Sequence, residues 1–171
     1  NGNIVGTIVE NIGTAPYVLE YEVIPNIAGL CSGNPEIFNL TVQPLPQTNF
    51  DLVDQTICNL TNSNTINLVS ATSAVDFIWT ATVPADVNGV NLSTDSTNNV
   101  PAYTLENTTA SPLTITIDAF AITQSGACQG ATNSASITII PTPIADTISS
   151  ITVCNNDQNP IIPLTGVATG Y

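Results

Sequence analysis

The sequence contains no lysine, arginine or histidine, although it carries 13 acidic residues among 171. Without cations there is no salt bridge, no basic patch for nucleic acid or anionic lipid, and no histidine metal site. A Ser-His-Asp triad and a lysine Schiff base are excluded as well. No two carboxylates stand out as the acid–base pair of a glycosidase. We therefore expect a protein that is not an enzyme and has no nucleic-acid partner, kept soluble by its net charge of −13.

Methionine and long apolar runs are also missing. A chain without Met does not begin at a natural start codon, so we expect an internal piece of a longer secreted protein, with any signal peptide lying outside it. No run of about 18 apolar residues is present, and we therefore expect no direct membrane insertion.

Charged residues are scarce, at 8%, whereas ordinary domains have about 25%. Asn, Thr and Ser supply the polarity instead. Hydrophobic residues make up 43%, which is enough for a core, and disorder is not expected. The abundance of Thr, Val and Ile favours strands, while Asn, Pro and Gly favour turns. The composition therefore predicts an all-β fold.

An internal repeat is visible when the sequence is shifted by 96 or 97 residues. The segment VENIGTAPYVLEYEV (9–23) aligns with LENTTASPLTITIDA (105–119), and CSGNPEIFNLTVQPLP (31–46) aligns with CQGATNSASITIIPTP (128–143). The phrase TICN, which ends at Asn59, then matches TVCN, which ends at Asn155. The repeating unit is therefore about 96 residues long.

Three segments follow from this alignment. We expect residues 1–43 to be the C-terminal part of one β-sandwich repeat, 44–140 a complete repeat, and 141–171 a linker with the N-terminal part of the next. A Pro-x-Pro phrase stands at each joint. Because proline fixes φ and cannot donate to a β-ladder, it ends a strand and stiffens a short linker. The sequence therefore predicts a semi-rigid rod of tandem units, each with its neighbours in the same chain as partners.

Seven short strands are predicted within the complete unit, which suggests an immunoglobulin-like β-sandwich. Asn88-Gly89 is a hairpin signal, because both residues tolerate positive φ. The predicted strands are Phe50–Ile57, Thr65–Ala71, Val75–Val83, Val90–Leu92, Ala102–Glu106, Leu113–Ile122 and Ser134–Ile140.

Alternation of apolar and polar residues identifies the side chains that face the core. The single tryptophan lies in the third predicted strand, where such sandwiches bury an aromatic residue. The candidate core residues are Trp79, Ile115, Ile117, Ile137 and Ile139.

The four cysteines leave two pairings open, with free thiols as the third alternative. Cys58–Cys128 would staple the complete unit to itself, and Cys31 and Cys154 would then pair outside the chain. Alternatively, Cys31–Cys58 and Cys128–Cys154 would each bridge a linker. Geometry does not decide, since the first turn and the last hairpin of a simple sandwich lie at opposite ends and the Cα atoms must come within about 7 Å. The sequence has no CxxC motif and no histidine, so a metal-binding or redox role for the cysteines is not expected.

Three segments carry a family resemblance: WTATVP (79–84), ITIDAFAITQSGACQG (115–130) and SASITIIPTP (134–143). They resemble the PKD-like and related immunoglobulin-like repeats of very long Bacteroidetes cell-surface adhesins, the gliding-motility adhesins of the SprB type. The resemblance implies tandem β-sandwiches exported by type IX secretion to the outer-membrane surface. It also implies a filament that attaches to an unknown surface or polysaccharide ligand and, in gliding cells, is propelled along the cell.

The alternative is an accessory module of a secreted multidomain enzyme, binding polysaccharide for example. Such carbohydrate-binding modules usually expose a row of aromatic residues. Aromatic residues make up 5% of this chain, and several occupy positions predicted to face inward.

Modification and calcium sites are the remaining candidates. Proteins of the resembled class are often O-glycosylated at Asp-Ser/Thr, which indicates Thr147 and Ser96. Carboxylates could bind Ca²⁺, the one cofactor considered, but no Asp-x-Asp-x-Asp loop is present and NNDQN (155–159) has the composition of an Asx-rich turn. Four residues satisfy the Asn-x-Ser/Thr pattern, for which turn and strand roles are the simpler explanation: Asn39, Asn59, Asn91 and Asn107.

Overall fold

The structure is a computed structural model that describes residues 4, 6–27, 30–90, 92, 95–126, 128–158, 160–163 and 165–167. Every regular element within these residues is a β-strand, which confirms the predicted all-β class. None of the described residues belongs to a helix long and apolar enough to cross a membrane.

The strands, in chain order, are β1 (Tyr17–Val23), β2 (Asn26–Ile27), β3 (Cys31–Ser32), β4 (Glu36–Val42), β5 (Asn49–Phe50), β6 (Asp54–Cys58), β7 (Thr61–Asn62), β8 (Ile66–Val69), β9 (Val75–Thr82), β10 (Val87–Asn88), β11 (Asn99–Val100), β12 (Thr104–Asn107), β13 (Leu113–Thr123), β14 (Asn133–Ile140), β15 (Ile144–Ala145) and β16 (Gly166–Val167).

A four-stranded sheet in the order β6-β14-β13-β9 dominates residues 44–140. β13 pairs antiparallel with β14 and with β9. β6 pairs parallel with the other edge of β14, from Asp54 beside Ser136 to Cys58 beside Ile140. β14 is therefore enclosed between a late strand and an early strand of the same segment.

Two three-stranded sheets, β11-β8-β5 and β10-β12-β7, complete this segment. Their apolar side chains join those of the four-stranded sheet in one core, and Ile66, Val100 and Leu105 are at most 1% exposed. This arrangement is consistent with a β-sandwich. The predicted core residues lie in the same cluster, all at most 2% exposed: Trp79, Ile115, Ile117, Ile137 and Ile139.

Two details of the strand prediction are wrong. The strand predicted at Phe50–Ile57 is divided into β5, which pairs with β8, and β6, which pairs with β14 in a different sheet. At the end of β5 the carboxylate of Asp51 accepts hydrogen bonds from the backbone N–H and side-chain amide of Asn67. These hydrogen bonds, chiefly the one from the side chain, hold the pKa of Asp51 below its usual value.

The second error is the hairpin at Asn88-Gly89. Gly89 does have positive φ, but β10 pairs with β12, and neither Val90 nor Leu92 is in a strand. The glycine is needed for a different reason. A Cβ on Gly89 would collide with the carbonyl oxygen of Thr104, so glycine permits the close approach of β12.

The hairpin β1–β4 has the same register as β13–β14. In the first hairpin Tyr17 lies opposite Val42, and in the second Leu113 lies opposite Ile139. Leu113 is 96 residues after Tyr17, and Ile139 is 97 residues after Val42. The correspondence continues beyond the hairpin. β2–β3 pairs Asn26 with Ser32, and their counterparts in the alignment form the isolated bridge Ile122–Gln129. Sequence similarity and strand pairing thus repeat together.

An asparagine closes the base of each hairpin with the same set of hydrogen bonds. The side-chain amide of Asn107 donates to the carbonyls of Ser111 (2.8 Å) and Ile139 (3.0 Å), and its Oδ1 accepts from the N–H of Thr109 (2.8 Å). Asn11 makes the corresponding bonds to three residues at the aligned positions, Ala15, Val42 and Gly13. One amide thus joins the turn before β13 to the last residues of β14.

We expect Asn107→Ala to destabilise residues 44–140 by about 2–4 kcal/mol, because Asn107 is 3% exposed and its loss removes two hydrogen bonds to backbone carbonyls and one from a backbone N–H. Urea unfolding followed by Trp79 fluorescence measures this. The control is Asn88→Ala, which removes one exposed hydrogen bond to Glu106 and should cost less than about 1 kcal/mol. Equal effects of the two substitutions would contradict the role assigned to Asn107.

Candidate functional site at the proline segments

Two Pro-x-Pro segments, one at the start of residues 44–140 and one directly after them, are the candidate functional site. We call Pro44–Pro46 the proximal segment and Pro141–Pro143 the distal segment. Pro44 and Pro46 are fully buried, whereas Pro141 is half-buried and Pro143 is exposed. The proximal segment is therefore part of the packed sandwich and not a free linker.

Gly130 allows the proximal segment to dock. A Cβ on Gly130 would collide with the carbonyl oxygen of Pro46, so a larger residue would push the segment off the sheet. Gly130 itself donates its N–H to the carbonyl of Ala121 (2.9 Å), which fixes it beside β13. The side-chain amide of Asn133 also donates to the carbonyl of Thr48, just after the segment. Residues 44–48 are thus attached at the start of β14.

The distal segment is attached at the other end of β14. The backbone N–H of Asn59 donates to the carbonyl of Ile140 (2.9 Å), and its side-chain amide donates to Thr142 Oγ1 (3.0 Å). Asn59 Oδ1 accepts from the backbone N–H of Asn107 (2.7 Å), which links this contact to the asparagine at the hairpin base. The chain therefore enters and leaves the sandwich at opposite ends of β14.

The cysteines lie where neither intrachain pairing is supported. Cys58 is in register with Ile140, while the carbonyl of Cys128 accepts from the N–H of Thr123 at the far end of β13. An 11-residue strand separates these two levels, which is roughly 30 Å at the usual rise. A disulfide requires Cα atoms within about 7 Å, so Cys58–Cys128 does not fit this fold.

The linker-bridging alternative fares no better. The β1–β4 hairpin has one end next to the proximal segment, and Cys31 lies beyond its other end. Cys58 likewise lies at the end of the sandwich that is far from the proximal segment. Cys31, Cys58 and Cys154 are exposed, Cys128 is half-buried, and all four are unpaired thiols in the structure.

Both predicted O-glycosylation residues, Thr147 and Ser96, are exposed. Asp95 pairs with Trp79 through two backbone hydrogen bonds of 3.0 Å, so Ser96 follows directly on a strand contact. Asn107 cannot serve as an acceptor for N-glycosylation in this conformation, because its amide is buried and fully hydrogen-bonded. Asn91 lies outside the described residues.

The acidic groups are dispersed. The described part of the chain has no group of three or more His, Cys, Asp or Glu side chains placed to hold a metal ion. Asp157 accepts from the N–H of Cys154 (3.0 Å) and returns its own N–H to the carbonyl of Cys154 (3.1 Å), which is the turn expected for NNDQN. Asn159 of that motif lies outside the described residues.

The sequence already contained signals for the residues that attach the proline segments. Asn11 and Asn107 match in the repeat alignment, as do Gly33 and Gly130. The sequence alone could not assign their roles, because asparagine and glycine are also common in ordinary turns. No family model matches this chain, and no curated protein does either.

We expect Gly130→Ala to destabilise the sandwich by about 1–3 kcal/mol, because the new methyl group displaces Pro46. Urea unfolding followed by Trp79 fluorescence is again the measurement. Gly6→Ala is the matched control, since nothing lies within 4 Å of its new Cβ. If the two substitutions had the same effect, the docking of the proximal segment would not depend on Gly130.

Proposed function

We propose that this chain is a non-catalytic, load-bearing segment of a long extracellular adhesive filament, built from tandem immunoglobulin-like (PKD-like) β-sandwich repeats. The observation that carries the proposal is the second occurrence of one hairpin, with the same register and the same asparagine hydrogen bonds. A chain that repeats its backbone pairing together with its sequence is typical of an array.

The strand pairing supports the immunoglobulin-like assignment. An early strand, β6, pairs parallel with the last strand, β14, which in turn pairs with β13 and, through it, with β9. Early strands β5 and β8 belong to a different sheet. The division of the first strands between two sheets, together with the burial of Trp79 on β9, supports the proposed immunoglobulin-like class.

The positions of the proline segments support a role in bearing load. Tension along the chain would pull the proximal segment and the distal segment in opposite directions. Between them lie the parallel strands β6 and β14. At one end of this pair the N–H of Ser136 donates to the carbonyl of Val53 (2.7 Å), and at the other end the N–H of Asn59 donates to the carbonyl of Ile140 (2.9 Å). Such a ladder is loaded in shear, so its hydrogen bonds must break together. Parallel terminal strands are therefore suited to a filament under tension.

We expect Ile57→Pro to lower the force at which residues 44–140 unfold when the chain is pulled by its two ends. In a parallel pair, every second residue of a strand forms backbone hydrogen bonds to its neighbour. Val53 and Asn59 both form such bonds to β14, so Ile57, which lies in the same alternating set, donates its N–H to β14 as well. The control is Ile57→Ala, which loses similar packing but keeps the N–H. Proline should also cost about 1–3 kcal/mol more than alanine at equilibrium, because it removes a ladder hydrogen bond and leaves the partner carbonyl unsatisfied. Equal rupture forces would contradict the shear arrangement.

The proposal extends to cell-surface attachment, gliding and type IX export, which rest on the sequence resemblance alone. Neighbouring repeats are the proposed partners within the chain, and a surface or polysaccharide is the proposed ligand. The buried Trp79 gives no support to the alternative of a carbohydrate-binding module on a secreted enzyme.

Antibodies against residues 44–140 should label intact source cells, and deletion of the gene should reduce attachment. An antibody against a cytoplasmic protein, applied to the same intact cells, controls for cell lysis. Labelling that requires permeabilised cells, or a reading frame with one or two units beside a hydrolase domain, would overturn the filament proposal.

A further inference from the structure

We propose that the loop Ser70–Ala74, between β8 and β9, is a docking surface for the turn Asn11–Ala15, and that this contact fixes the angle between the β1–β4 hairpin and the sandwich. The inference deepens the proposed function and rests on the assignment of these two parts of the chain to successive repeats. The partner that the loop fits is therefore the turn of the preceding repeat in the same chain.

The docking contact consists of two hydrogen bonds to one carbonyl. The carbonyl of Thr14 accepts from the backbone N–H of Ser73 (3.0 Å) and from Ser73 Oγ (3.4 Å). Thr14 lies just before β1, and Ser73 lies just before β9, which belongs to a different sheet. The contact thus joins the hairpin to the sandwich at a point that is separate from the connecting chain.

The loop is held in place by the sandwich. The N–H of Gln124, directly after β13, donates to the carbonyl of Ala74 (2.9 Å). Within the loop the N–H of Thr72, a buried residue, donates to Ser70 Oγ (3.1 Å). Ala74 has a φ of 52°, which residues other than glycine rarely adopt. Backbone conformations of this kind cluster at functional sites, which is consistent with a docking role for the loop.

The turn is held in place by the end of β4. The side-chain amide of Asn11 donates to the carbonyls of Ala15 (3.0 Å) and Val42 (2.9 Å). One residue, Gln43, separates Val42 from the proximal segment, which docks over Gly130. The turn and the chain that enters the sandwich are therefore parts of one bonded structure.

These contacts form a closed ring. It runs from the proximal segment through Gly130 to Ala121, along β13 to Gln124, and through the loop to Thr14, the turn and β4. A single short linker limits the angle between two bodies, whereas a second attachment at a separate point fixes it. Because the linker already holds the turn beside the loop, the effective concentration of the turn is high, and two hydrogen bonds suffice to keep it docked.

The loop sequence recurs with the repeat. A shift of 96 residues aligns INLVSATSAV (66–75) with IPLTGVATGY (162–171). Ser73 then matches Thr169, which keeps the hydroxyl, and Ala74 matches Gly170, the residue type that adopts positive φ most readily. Thr169 and Gly170 lie outside the described residues. The turn recurs as well, since Asn107 makes the hydrogen bonds of Asn11.

Residual dipolar couplings of the backbone amides, measured on the full 171-residue chain, test whether the angle is fixed. We expect the couplings from β1 and β4 and those from β9, β13 and β14 to fit one alignment tensor. Ser73→Pro removes the N–H that Thr14 accepts. In that variant the hairpin should need a separate tensor, with its couplings reduced at least about twofold because hinge motion averages them.

The matched control is Ser73→Ala, which keeps the N–H and loses only the longer hydrogen bond from the hydroxyl. This variant should still fit one tensor. Couplings within the sandwich report folding in each variant, since the residues of a folded sandwich fit one tensor among themselves. An unsubstituted chain that needs two tensors overturns the inference, and so does a folded Ser73→Pro chain that fits one.

A disulfide trap tests the contact without introducing proline. The four native cysteines are replaced by serine, and Thr14→Cys is combined with Ser73→Cys. The backbone hydrogen bond places the two Cα atoms within about 7 Å, as a disulfide requires. Oxidised glutathione should cross-link this pair at least about tenfold faster than the control pair, Thr14→Cys with Ser125→Cys. Ser125 is exposed at the same end of the sandwich, so a freely moving turn would reach both positions.

Equal cross-linking rates for the two pairs contradict a docked turn. Failure of the proposed function gives a different result. If Ile57→Pro leaves the unfolding force unchanged while one tensor fits the whole chain, the load-bearing function fails and the docked turn stands. If Ile57→Pro lowers the force while the chain needs two tensors, the load-bearing function stands and the docking fails.

Discussion

The central constraint in this protein is the position of β14 between β13 and β6. An antiparallel partner on one edge and a parallel partner on the other satisfy its backbone, and its alternate residues Ala135, Ile137 and Ile139 fill the core. The proline segments are attached at its two ends. Because the parallel partner comes from the start of the segment, the sandwich closes only when both ends of the segment meet.

The absence of cations determines how the remaining polar groups are satisfied. Asparagine, threonine and serine take the place of ion pairs, and an asparagine amide can donate and accept at once. Asn107 joins the turn before β13 to the end of β14, and Asn59 joins that asparagine to the distal segment. Since neutral amides do not titrate, this network does not depend on pH, and its bonds are little affected by salt.

The sequence predicted several elements well. The long strands β9, β13 and β14 were located by their period-2 alternation, and the repeat alignment anticipated that two hairpins correspond. It was less successful where local signals were ambiguous. Asn88-Gly89 has the composition of a hairpin turn, but its glycine serves the close approach of Thr104. The strand predicted from Phe50 is divided because its first part pairs with β8 and its second part with β14, in two different sheets. The choice between the cysteine pairings could not be made from the sequence, because spacing along the chain does not give the distance between two Cα atoms in the fold.

By itself, the sequence determined the all-β class, the internal similarity at a shift of about 96 residues and the absence of lysine, arginine and histidine side chains. These follow from composition and periodicity, which are properties of the chain alone. The tertiary structure decided the parallel pairing of β6 with β14, the burial of the proximal segment against Gly130, and the placement of Cys58 and Cys128 at opposite ends. Each of these depends on contacts between residues far apart in the chain, where the register of one strand on another determines what meets.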